Sequence, residues 1–310
     1  MKLGSRGSPL AMTQSRHVAG LLAPLLGKTP AIESFVTSGD RIADRRLQDA
    51  GGKGLFTKEL DEALLDRRID AAIHSLKDLP TLMPDGIALA AIPSREDPRD
   101  AFISPKAQDL KSLPQGAVVG TASLRRQAQT LHLRPDLQVV TLRGSVQTRL
   151  QRIEDGKMDA TFLALAGLTR MGLQGHAASL VDANDMPPAP GQGALAITCR
   201  AGDAKTLDVL ARLSDPALET VIAAERSFLE ALDGSCRTPI GALARLTDNQ
   251  LHFLGEVLSP DGKRRWRREE RLALGSDAKT DAAALGRRLG AEIRAEAGEN
   301  FIQGLEKRGW

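Results

Sequence analysis

Two kinds of hydrophobic spacing alternate along the first part of the chain. Short apolar runs such as AIESFVTS, DAAIHSL and GIALAAIP predict β-strands. The segments SPLAMTQSRHVAGLLAPLL and GLFTKELDEALLDRRI instead have the three-to-four-residue spacing of amphipathic helices. Strands that alternate with helices indicate βαβ units and a mostly parallel sheet. The pattern therefore predicts an α/β unit near the start of the chain.

The same alternation begins again after REDPRDAFIS. GAVVGT, LQVVTLRG and MDATFLALAG are predicted strands, and a helical segment follows each of them. The Pro- and Gly-rich segment MPPAPGQG then precedes one more apolar run, GALAITCR, which we expect to return to the first unit. The sequence predicts a discontinuous first domain, 1–95 and 193–213, joined by two connections to a second α/β domain, 99–188.

A different pattern begins at Asp215. DPALETVIAAERSFLEALDG predicts a helix with Asp215 as N-cap, Pro216 in the first turn and Gly234 as C-cap. IGALARLT, LHFLGEVLS and RRWRREERLAL, separated by DN and PDG turns, predict an antiparallel meander, and DAAALGRRLGAEIRAEAG predicts a closing helix. We therefore expect a third, α+β domain, 215–310, with a three-stranded antiparallel sheet.

Composition narrows the classes of function. The chain has 310 residues, a formal net charge of +3 and 3% aromatic residues, with no Tyr. So small a charge surplus and so few aromatic rings disfavour a nucleic-acid partner. The basic segment RRWRREER is expected to be one strand whose charges face water, so a nucleic-acid binder is a weak alternative.

Three sequence features bear on the compartment of the protein and on metal and membrane binding. The two Cys residues give no disulfide framework and the five His residues show no metal-binding spacing, so we expect a cytoplasmic protein without a metal. The start MKLGSRGSPLAMTQSR lacks the apolar stretch of a signal peptide, and VAGLLAPLL is too short to cross a bilayer. We expect no membrane partner.

Arginines follow the ends of the predicted strands in both α/β units. They are Arg6, Arg125, Arg126, Arg143, Arg149 and Arg170. In open α/β sheets, ligands bind beyond the carboxyl ends of the strands, where helix N-termini also present free amides to anions. The planar guanidinium suits carboxylates, so the pattern favours a ligand with several carboxylates or phosphates.

Two short segments contain further candidate chemistry. HSLKDLP follows a predicted strand and brings His74, Lys77 and Asp78 together. Asp78 could cap a helix or form a salt bridge, or it could hydrogen-bond a cationic substrate nitrogen and transfer a proton. ALDGSCRTPIG places Cys236 in a loop, whereas Cys199 lies in the apolar run ALAITC. We therefore interpret Cys236 as a thiol that is displayed rather than packed.

Nine segments, in order, resemble the porphobilinogen deaminase family, whose members are also called hydroxymethylbilane synthases. The segments are RGSPLAMTQ, GGKGLFTKEL, HSLKDLP, REDPRDAFIS, GTASLRRQ, LRGSVQTRL, LALAGLTRMG, PAPGQGALAI and AERSFLEALDGSCRTPIGA. They lie between Arg6 and Ala242 and span about three quarters of the chain. The set is specific, although no single segment would be.

The resemblance implies a fold and a reaction. The implied fold is α/β, with two periplasmic-binding-protein-like, doubly wound domains and a small α+β C-terminal domain with an antiparallel three-stranded sheet. The implied enzyme is a monomeric transferase that joins four porphobilinogen molecules head to tail on a dipyrromethane cofactor, with release of ammonia, and then hydrolyses the growing polypyrrole chain to 1-hydroxymethylbilane. A thioether would attach the dipyrromethane to Cys236. The alternative is a non-catalytic, two-lobed polyanion-binding protein, which would have no use for Cys236 or Asp78.

The resemblance also implies roles for particular residues. Asp78 matches the catalytic aspartate. The implied cofactor-binding residues are Cys236, Lys77, Ser123, Arg125, Arg126, Arg143, Gly144, Arg149 and Arg170. The implied substrate-binding residues are Arg6, Ser8, Phe56, Arg143, Arg149, Arg170 and Gln192. Phe56 could equally pack as a hydrophobic contact for the helix that follows it, and the GGKGLF loop before that helix is expected to form a mobile lid.

Overall fold

Three β-sheets organise the chain in the computed structural model, which describes residues 1–41, 54–232, 238–298 and 301–302. In chain order the elements are β1 (Lys2–Arg6), α1 (Pro9–Leu26), β2 (Ala31–Phe35), α2 (Ser38–Arg41), α3 (Lys58–Leu65), β3 (Ala71–Ser75), β4 (Ile87–Ala91), β5 (Asp100–Ile103), β6 (Val118–Gly120), α4 (Leu124–Leu133), β7 (Gln138–Val140), α5 (Val146–Glu154), β8 (Ala160–Ala164), α6 (Leu165–Arg170), β9 (Ser179–Leu180), β10 (Leu195–Arg200), α7 (Ala204–Ala211), α8 (Pro216–Ala231), β11 (Ile240–Thr247), β12 (Gln250–Leu258), β13 (Arg265–Ala273) and α9 (Ala278–Ala297). Short 3₁₀ turns lie at Leu76–Asp78 and Gln174–His176.

The first sheet has the strand order β2-β1-β3-β10-β4. Strands β1, β2 and β3 are parallel, whereas β10 is antiparallel to both of its neighbours and places Ile197 opposite Ile73. Leu22 of α1 and Leu210 of α7 pack on one face of this sheet, and Leu60 of α3 packs on the other. Helices therefore cover both faces, as a doubly wound unit requires. We call this sheet with its helices lobe 1.

The second sheet has the order β7-β6-β8-β5-β9. Strands β6, β7 and β8 are parallel, and β5 is antiparallel to β8 and β9. Leu150 of α5 and Leu133 of α4 belong to separate apolar clusters on the two faces. We call this unit lobe 2. In each lobe the antiparallel strand is the first strand after the chain crosses from the other lobe, and the predicted pair of α/β units is confirmed.

The third sheet has the order β11-β12-β13 and is antiparallel throughout, which confirms the predicted three-stranded sheet. Helices α8 and α9 pack against it and each other, and we call this unit the C-terminal region. The two helices approach closely because Gly286 has no side chain. A Cβ atom there would lie 2.1 Å from the carbonyl oxygen of Ala224. The residue boundaries of the three domains stay a prediction.

Strand β10 lies where lobe 1 meets the C-terminal region. Its side chains alternate between the core of lobe 1 and the core of the C-terminal region. Leu76 and Leu79 pack into the second of these cores, and Lys77 and Asp78 stand between them in the sequence. The amide of Leu76 also donates to the carbonyl oxygen of Ala194 at 3.0 Å. Packing on both sides therefore fixes the turn that contains Lys77 and Asp78. Among the described helices, none combines the length and hydrophobicity that a membrane span requires.

Candidate active site between the two lobes

Serine residues cap the helices that follow several strand ends. Ser8 Oγ accepts a hydrogen bond from the Ala11 amide at 3.3 Å at the start of α1. Ser123 Oγ accepts one from the Arg126 amide at 3.4 Å at the start of α4, and Ser145 caps α5 in the same way. These caps satisfy amides that would otherwise lack a partner. Ser8 and Ser123 therefore fix helix starts at the strand ends, and their contacts with a ligand stay a prediction.

Arg6 lies at the carboxyl end of β1 and contacts three other side chains. Its Nη1 atom is 3.9 Å from Asp78 Oδ2, and its guanidinium forms two hydrogen bonds with Asp40. The Phe56 ring centroid lies 4.2 Å from Arg6 Cζ, a cation–π contact. Burial would raise the pKa of Asp40, but hydrogen bonds from Arg6 and Thr37 hold that pKa below its usual value. Arg6 is thereby held beside Asp78 by a charged Asp40 and by an aromatic ring.

Lys77 and Asp78 are neighbours on the 3₁₀ turn but have different environments. The Asp78 side chain is 31% exposed. Lys77 Nζ donates a hydrogen bond to Gln192 Oε1 at 3.3 Å. Burial lowers the pKa of Lys77 to about 8, although the carboxylate of Asp78 acts in the opposite direction. Lys77 therefore keeps its charge at neutral pH and can bind an anion, while the Asp78 carboxylate remains accessible to a substrate.

Asp100, the first residue of β5, is the centre of a buried polar cluster. Its carboxylate accepts four hydrogen bonds, from Arg125 Nη2 at 2.8 Å, from Arg126 Nη2 and Nε at 2.7 and 3.2 Å, and from Gln192 Nε2 at 2.8 Å. All four residues are buried. Burial would raise the pKa of Asp100, but the two guanidiniums hold it well below its usual range. Arg125 and Arg126, the predicted cofactor-binding pair, are therefore ordered by Asp100, and their contacts with a ligand stay a prediction.

Arg143 and Arg149 bring further positive charge to the same side of lobe 2. Arg149 Nε donates to the carbonyl oxygen of Gly144 at 3.0 Å. Burial, with the nearby charges of Arg126 and Arg143, lowers the pKa of Arg149 to about 10. Gly144 has φ 114°, and a Cβ atom there would lie 2.9 Å from Thr148 Cβ, so the bend before α5 requires glycine.

Arg170 and Gln192 connect lobe 2 with the segment that leads into β10. Arg170 Nη2 donates to the carbonyl oxygen of Gly193 at 2.7 Å. Burial lowers the pKa of Arg170, and the charge of Glu96 offsets part of that effect. Gln192 Nε2 donates to the carbonyl oxygen of Pro98 at 2.7 Å, in addition to its bond with Asp100. The structure therefore brings predicted residues of both lobes together at the point where the chain crosses between them.

The side chains at this crossing contain more positive than negative charge. The cations are Lys77, Arg125, Arg126, Arg143 and Arg149, which we call the cationic cluster. Asp100 is the buried carboxylate that contacts two of them. Arg125 Nε is also buried without a hydrogen-bond partner. Over the residues that the structure describes, no group of three or more His, Cys, Asp or Glu side chains could hold a metal ion. This donor set suits an organic ligand with several carboxylates.

His74 is close to Lys77 and Asp78 in the sequence, but its side chain contacts Thr198 of β10. Its Nε2 atom lies 3.0 Å from Thr198 Oγ1, and both residues are buried. Burial, assisted by the charge of Arg6, lowers the pKa of His74 to about 3. His74 is therefore a neutral residue of the lobe 1 sheet.

The sequence analysis missed two acidic residues of the site, Asp40 and Asp100. Asp40 belongs to a four-residue helix with no strong pattern of its own. Asp100 has a recognisable setting, because it begins the strand DAFI, all four residues of which are buried. A carboxylate in a wholly buried strand needs charged or hydrogen-bonding partners, and that requirement could have identified it.

The two cysteines differ in what the structure describes. Cys236 lies outside the described residues, as do residues 51–53 of the GGKGLF segment. Cys199 is fully buried in β10, and burial raises the pKa of its thiol to about 11. A thiol with that pKa stays protonated and is a poor nucleophile at neutral pH.

The fold and site together define a two-lobed α/β protein with a cationic cluster at the junction of its lobes. The family model described as "Porphobilinogen deaminase, dipyromethane cofactor binding domain" matches residues 1–208. A second model, "Porphobilinogen deaminase, C-terminal domain", matches residues 219–295. The chain belongs to the porphobilinogen deaminase family, as the resemblance of the nine segments predicted.

Curated relatives match nearly the whole chain. The porphobilinogen deaminase of Caulobacter sp. (strain K31) is 53% identical over 311 residues, which cover 97% of this chain and 98% of that protein. The porphobilinogen deaminase of Phenylobacterium zucineum (strain HLK1) is 49% identical over 314 residues, with the same two coverages of 97% and 98%. The similarity therefore extends over both lobes and the C-terminal region.

Solved structures give weaker likenesses. A putative methionine-binding lipoprotein from Bacillus subtilis has a TM-score of 0.42 and 14% identity, and the match covers 69% of this chain and 89% of that one. A periplasmic substrate-binding protein of an ABC transporter from Coxiella burnetii has a TM-score of 0.44 and 18% identity, with coverages of 73% and 96%. Likenesses of this size support no conclusion about ligand or activity.

Proposed function

We propose that the chain is a transferase that performs the porphobilinogen deaminase reaction. In this reaction four porphobilinogen molecules are joined head to tail on a dipyrromethane linked to Cys236, one ammonia leaves at each addition, and hydrolysis releases 1-hydroxymethylbilane. The observation that carries the proposal is the match of the two family models to residues 1–208 and 219–295. The cationic cluster and the accessible Asp78 carboxylate beside it supply the chemistry that the reaction needs.

The cationic cluster fits the cofactor that the matched domain binds. A dipyrromethane made from two porphobilinogens has four carboxylates and, when bound, supplies the ring carbon to which the first substrate is joined. The residues that we propose to hold it, besides Cys236, are Lys77, Ser123, Arg125, Arg126, Arg143, Gly144, Arg149 and Arg170. The unpartnered Nε of Arg125 and the excess of cations over carboxylates favour this assignment.

The incoming substrate contains the same acetate and propionate groups. The residues that we propose to contact it are Arg6, Ser8, Phe56, Arg143, Arg149, Arg170 and Gln192. Arg6 supports this role because it stands at the end of β1, 3.9 Å from Asp78. A substrate carboxylate bound by Arg6 would place the pyrrole ring next to the catalytic carboxylate.

We propose Asp78 as the catalytic residue. When the aminomethyl carbon–nitrogen bond of porphobilinogen breaks and ammonia leaves, positive charge develops on the pyrrole nitrogen, and the Asp78 carboxylate can stabilise that charge. A carbon–carbon bond then forms, and the ring carbon that accepts the substrate loses a proton, which the same carboxylate can take up and pass on. The 31% exposure of Asp78 leaves its carboxylate accessible to the substrate.

We also infer that the enzyme works as a monomer in the cytoplasm, with porphobilinogen and the growing polypyrrole chain as its partners. The family resemblance supports the monomer. The absence of a disulfide framework among only two cysteines supports a reducing compartment.

The experiment that tests the function is the intact mass of the purified, denatured protein, followed by peptide mapping. We expect an excess equal to two porphobilinogens less two ammonias on the peptide that contains Cys236, and release of ammonia when porphobilinogen is added. Cys236→Ser should carry no adduct and have no activity. Cys199→Ser is the matched control, because Cys199 is buried and its thiol is protonated at neutral pH.

Two results would contradict the proposal. One is an unmodified wild-type mass that stays unmodified after incubation with porphobilinogen. The other is an adduct that persists in Cys236→Ser and disappears in Cys199→Ser. The first result would favour a polyanion-binding protein without the condensation activity, and the second would show that the cofactor is linked to Cys199 and not to Cys236.

A further inference from the structure

Gln192 is a buried side chain that links the two lobes at the proposed active site. It lies in the crossing segment before β10 and is 1% exposed. Its Nε2 atom donates to Pro98 and Asp100 at 2.7 and 2.8 Å, and its Oε1 atom accepts from Lys77 Nζ at 3.3 Å. One amide therefore connects the buried carboxylate of lobe 2 with the ammonium of lobe 1.

Both side-chain N–H donors of Gln192 are used within the protein. A side-chain amide has two N–H donors, and both are occupied by Pro98 and Asp100. Its backbone oxygen accepts from Arg95 Nε at 3.0 Å, so the residue is fixed at both ends. Neither N–H donor is therefore free for a substrate, so the proposed substrate contact of Gln192 would use the second lone pair of its Oε1 atom, and its indirect influence passes through Lys77.

We propose that Gln192 is a positioning residue whose amide couples the buried cluster around Asp100 in lobe 2 to the Lys77 ammonium in lobe 1. The inference rests on the proposed function, because it concerns how Lys77 meets the carboxylates of the cofactor and the growing chain. The direction of the Gln192 amide is set by Asp100, which donates nothing and accepts four hydrogen bonds. Lys77 consequently meets an acceptor, not a competing N–H donor.

The charges around Lys77 make this acceptor important. Asp78 faces it from the same turn, Asp100 from β5, and Arg125 and Arg126 from α4. The two guanidiniums and burial oppose the ammonium, whereas the two carboxylates favour it. Gln192 adds an oxygen dipole without adding a charge. Losing that oxygen would make the ammonium harder to maintain next to two arginines.

The test is a pH titration in which NMR monitors the Lys77 ammonium. The full-length protein is labelled with ¹³Cε-lysine. The Lys77 resonance is identified by its absence from Lys77→Arg. In Gln192→Met the ammonium loses its acceptor, so we expect the pKa of Lys77 to fall by about one pH unit relative to wild type. Gln192→Asn keeps an amide but shortens the side chain, so that it cannot reach Lys77 and Asp100 together, and we expect a change in the same direction.

Gln14→Met is the matched control. Gln14 is a buried glutamine of lobe 1, and its amide donates to Ser75 Oγ at 3.0 Å. Ser75 is two residues before Lys77 in the sequence, but the hydrogen bond of the Gln14 amide is to Ser75 and not to the Lys77 ammonium. We expect the Lys77 titration of this variant to equal that of wild type. In the pH profile of kcat/KM, the alkaline limb should also move to lower pH in Gln192→Met. A merely structural defect would instead lower kcat/KM by the same factor at every pH and leave the shape of the profile unchanged.

An unchanged Lys77 titration in Gln192→Met and Gln192→Asn would overturn the inference, as would an equal change in Gln14→Met. These outcomes are separate from failure of the proposed function. If wild-type protein carries no adduct on Cys236 and does not consume porphobilinogen, the function fails while the Lys77 titration still tests the coupling. If turnover is normal and the titration does not respond to Gln192, the coupling alone is wrong.

Discussion

Lobe 1 and lobe 2 have the same strand order but contribute different charges to the site between them. In each sheet three parallel strands are followed by an antiparallel strand and an edge strand. Lobe 1 ends its strands with Asp78, whose carboxylate keeps contact with solvent, and lobe 2 places Arg125 and Arg126 in a buried cluster around Asp100. An accessible carboxylate can exchange protons, whereas desolvated and fixed cations hold anions strongly. The common topology therefore carries an accessible carboxylate in lobe 1 and a buried arginine pair ordered by Asp100 in lobe 2, while Arg6 and Lys77 give lobe 1 cations of its own.

The largest expected effect is on catalysis, at the accessible carboxylate of lobe 1. Asp78→Asn should lower kcat by about 10²–10⁴-fold, because a neutral amide cannot stabilise the charge that develops on the pyrrole nitrogen. The melting temperature should change by less than about 2 °C, since the side chain is 31% exposed. Steady-state ammonia release and thermal unfolding measure the two quantities. Asp85→Asn, at an exposed position of the same lobe, is the control, and normal turnover by Asp78→Asn would refute the assignment.

The next prediction compares the stability lost when an arginine-binding carboxylate is neutralised in each lobe. Asp100→Asn removes the carboxylate charge to which two buried guanidiniums donate, so we expect the free energy of unfolding to fall by about 3–5 kcal/mol. Asp40→Asn removes the partner of Arg6, but the Asp40 side chain is 23% exposed, and we expect a loss of about 1 kcal/mol or less. Urea unfolding of both variants gives the comparison. Equal losses would mean that burial of the cluster in lobe 2 is energetically unimportant.

A third prediction concerns a buried acid without an arginine partner. Asp61 in α3 of lobe 1 is 8% exposed, and its Oδ1 atom has no hydrogen-bond partner. Burial raises the pKa of Asp61 to about 6. The folded protein therefore binds this proton more tightly than the unfolded chain, and stability is lost as the pH rises from about 4 through 6.

Asp61→Asn should remove that loss. We expect the variant to be more stable than wild type by about 2–3 kcal/mol at pH 8 and nearly equal to it at pH 3, where the carboxyl is mostly protonated in both the folded and the unfolded state. Urea unfolding at several pH values measures the difference. The sign is opposite to that of Asp100→Asn, and a destabilised Asp61→Asn at pH 8 would show that the Asp61 charge is compensated.

The smallest effect tests the ring that supports Arg6. Phe56→Leu keeps an apolar contact but removes the cation–π interaction, so we expect KM for porphobilinogen to rise about 2–5-fold with little change in kcat. Phe35→Leu is the control, because Phe35 makes a similar contact with Arg68, at 5.4 Å, away from Asp78. A change in thermal stability without a change in KM would instead support the alternative that Phe56 serves to pack the following helix.

The α/β lobes and the C-terminal sheet could be predicted from the sequence because their information is local. A buried strand gives a short apolar run, and an amphipathic helix repeats its apolar residues every three to four positions. The strand order could not be predicted in this way. β5 and β10 pair with strands that are distant in sequence, and nothing in DAFI or LAITCR itself specifies an antiparallel neighbour.

The candidate site shows the same limit. The arginines after strand ends could be recognised, because strand ends in such sheets gather at one edge. The partners of these arginines could not be recognised, because they are distant in sequence. Asp100 accepts hydrogen bonds from Arg125, 25 residues away, and from Gln192, 92 residues away. The burial that lowers the pKa of Lys77 also depends on elements that meet only in the folded protein.

The position of β10 has a consequence for synthesis of the chain. Lobe 1 needs this strand between β3 and β4, yet β10 is translated only after all the strands of lobe 2. Lobe 2 is contiguous, with all its strands between Asp100 and Leu180, so it can complete its sheet during synthesis. The strands β1 to β4 of lobe 1 must remain without β10 until that later segment has been translated. We therefore expect the N-terminal lobe to be the second to mature, and its exposed strand edges to be the stretch of the nascent chain that most needs protection from aggregation.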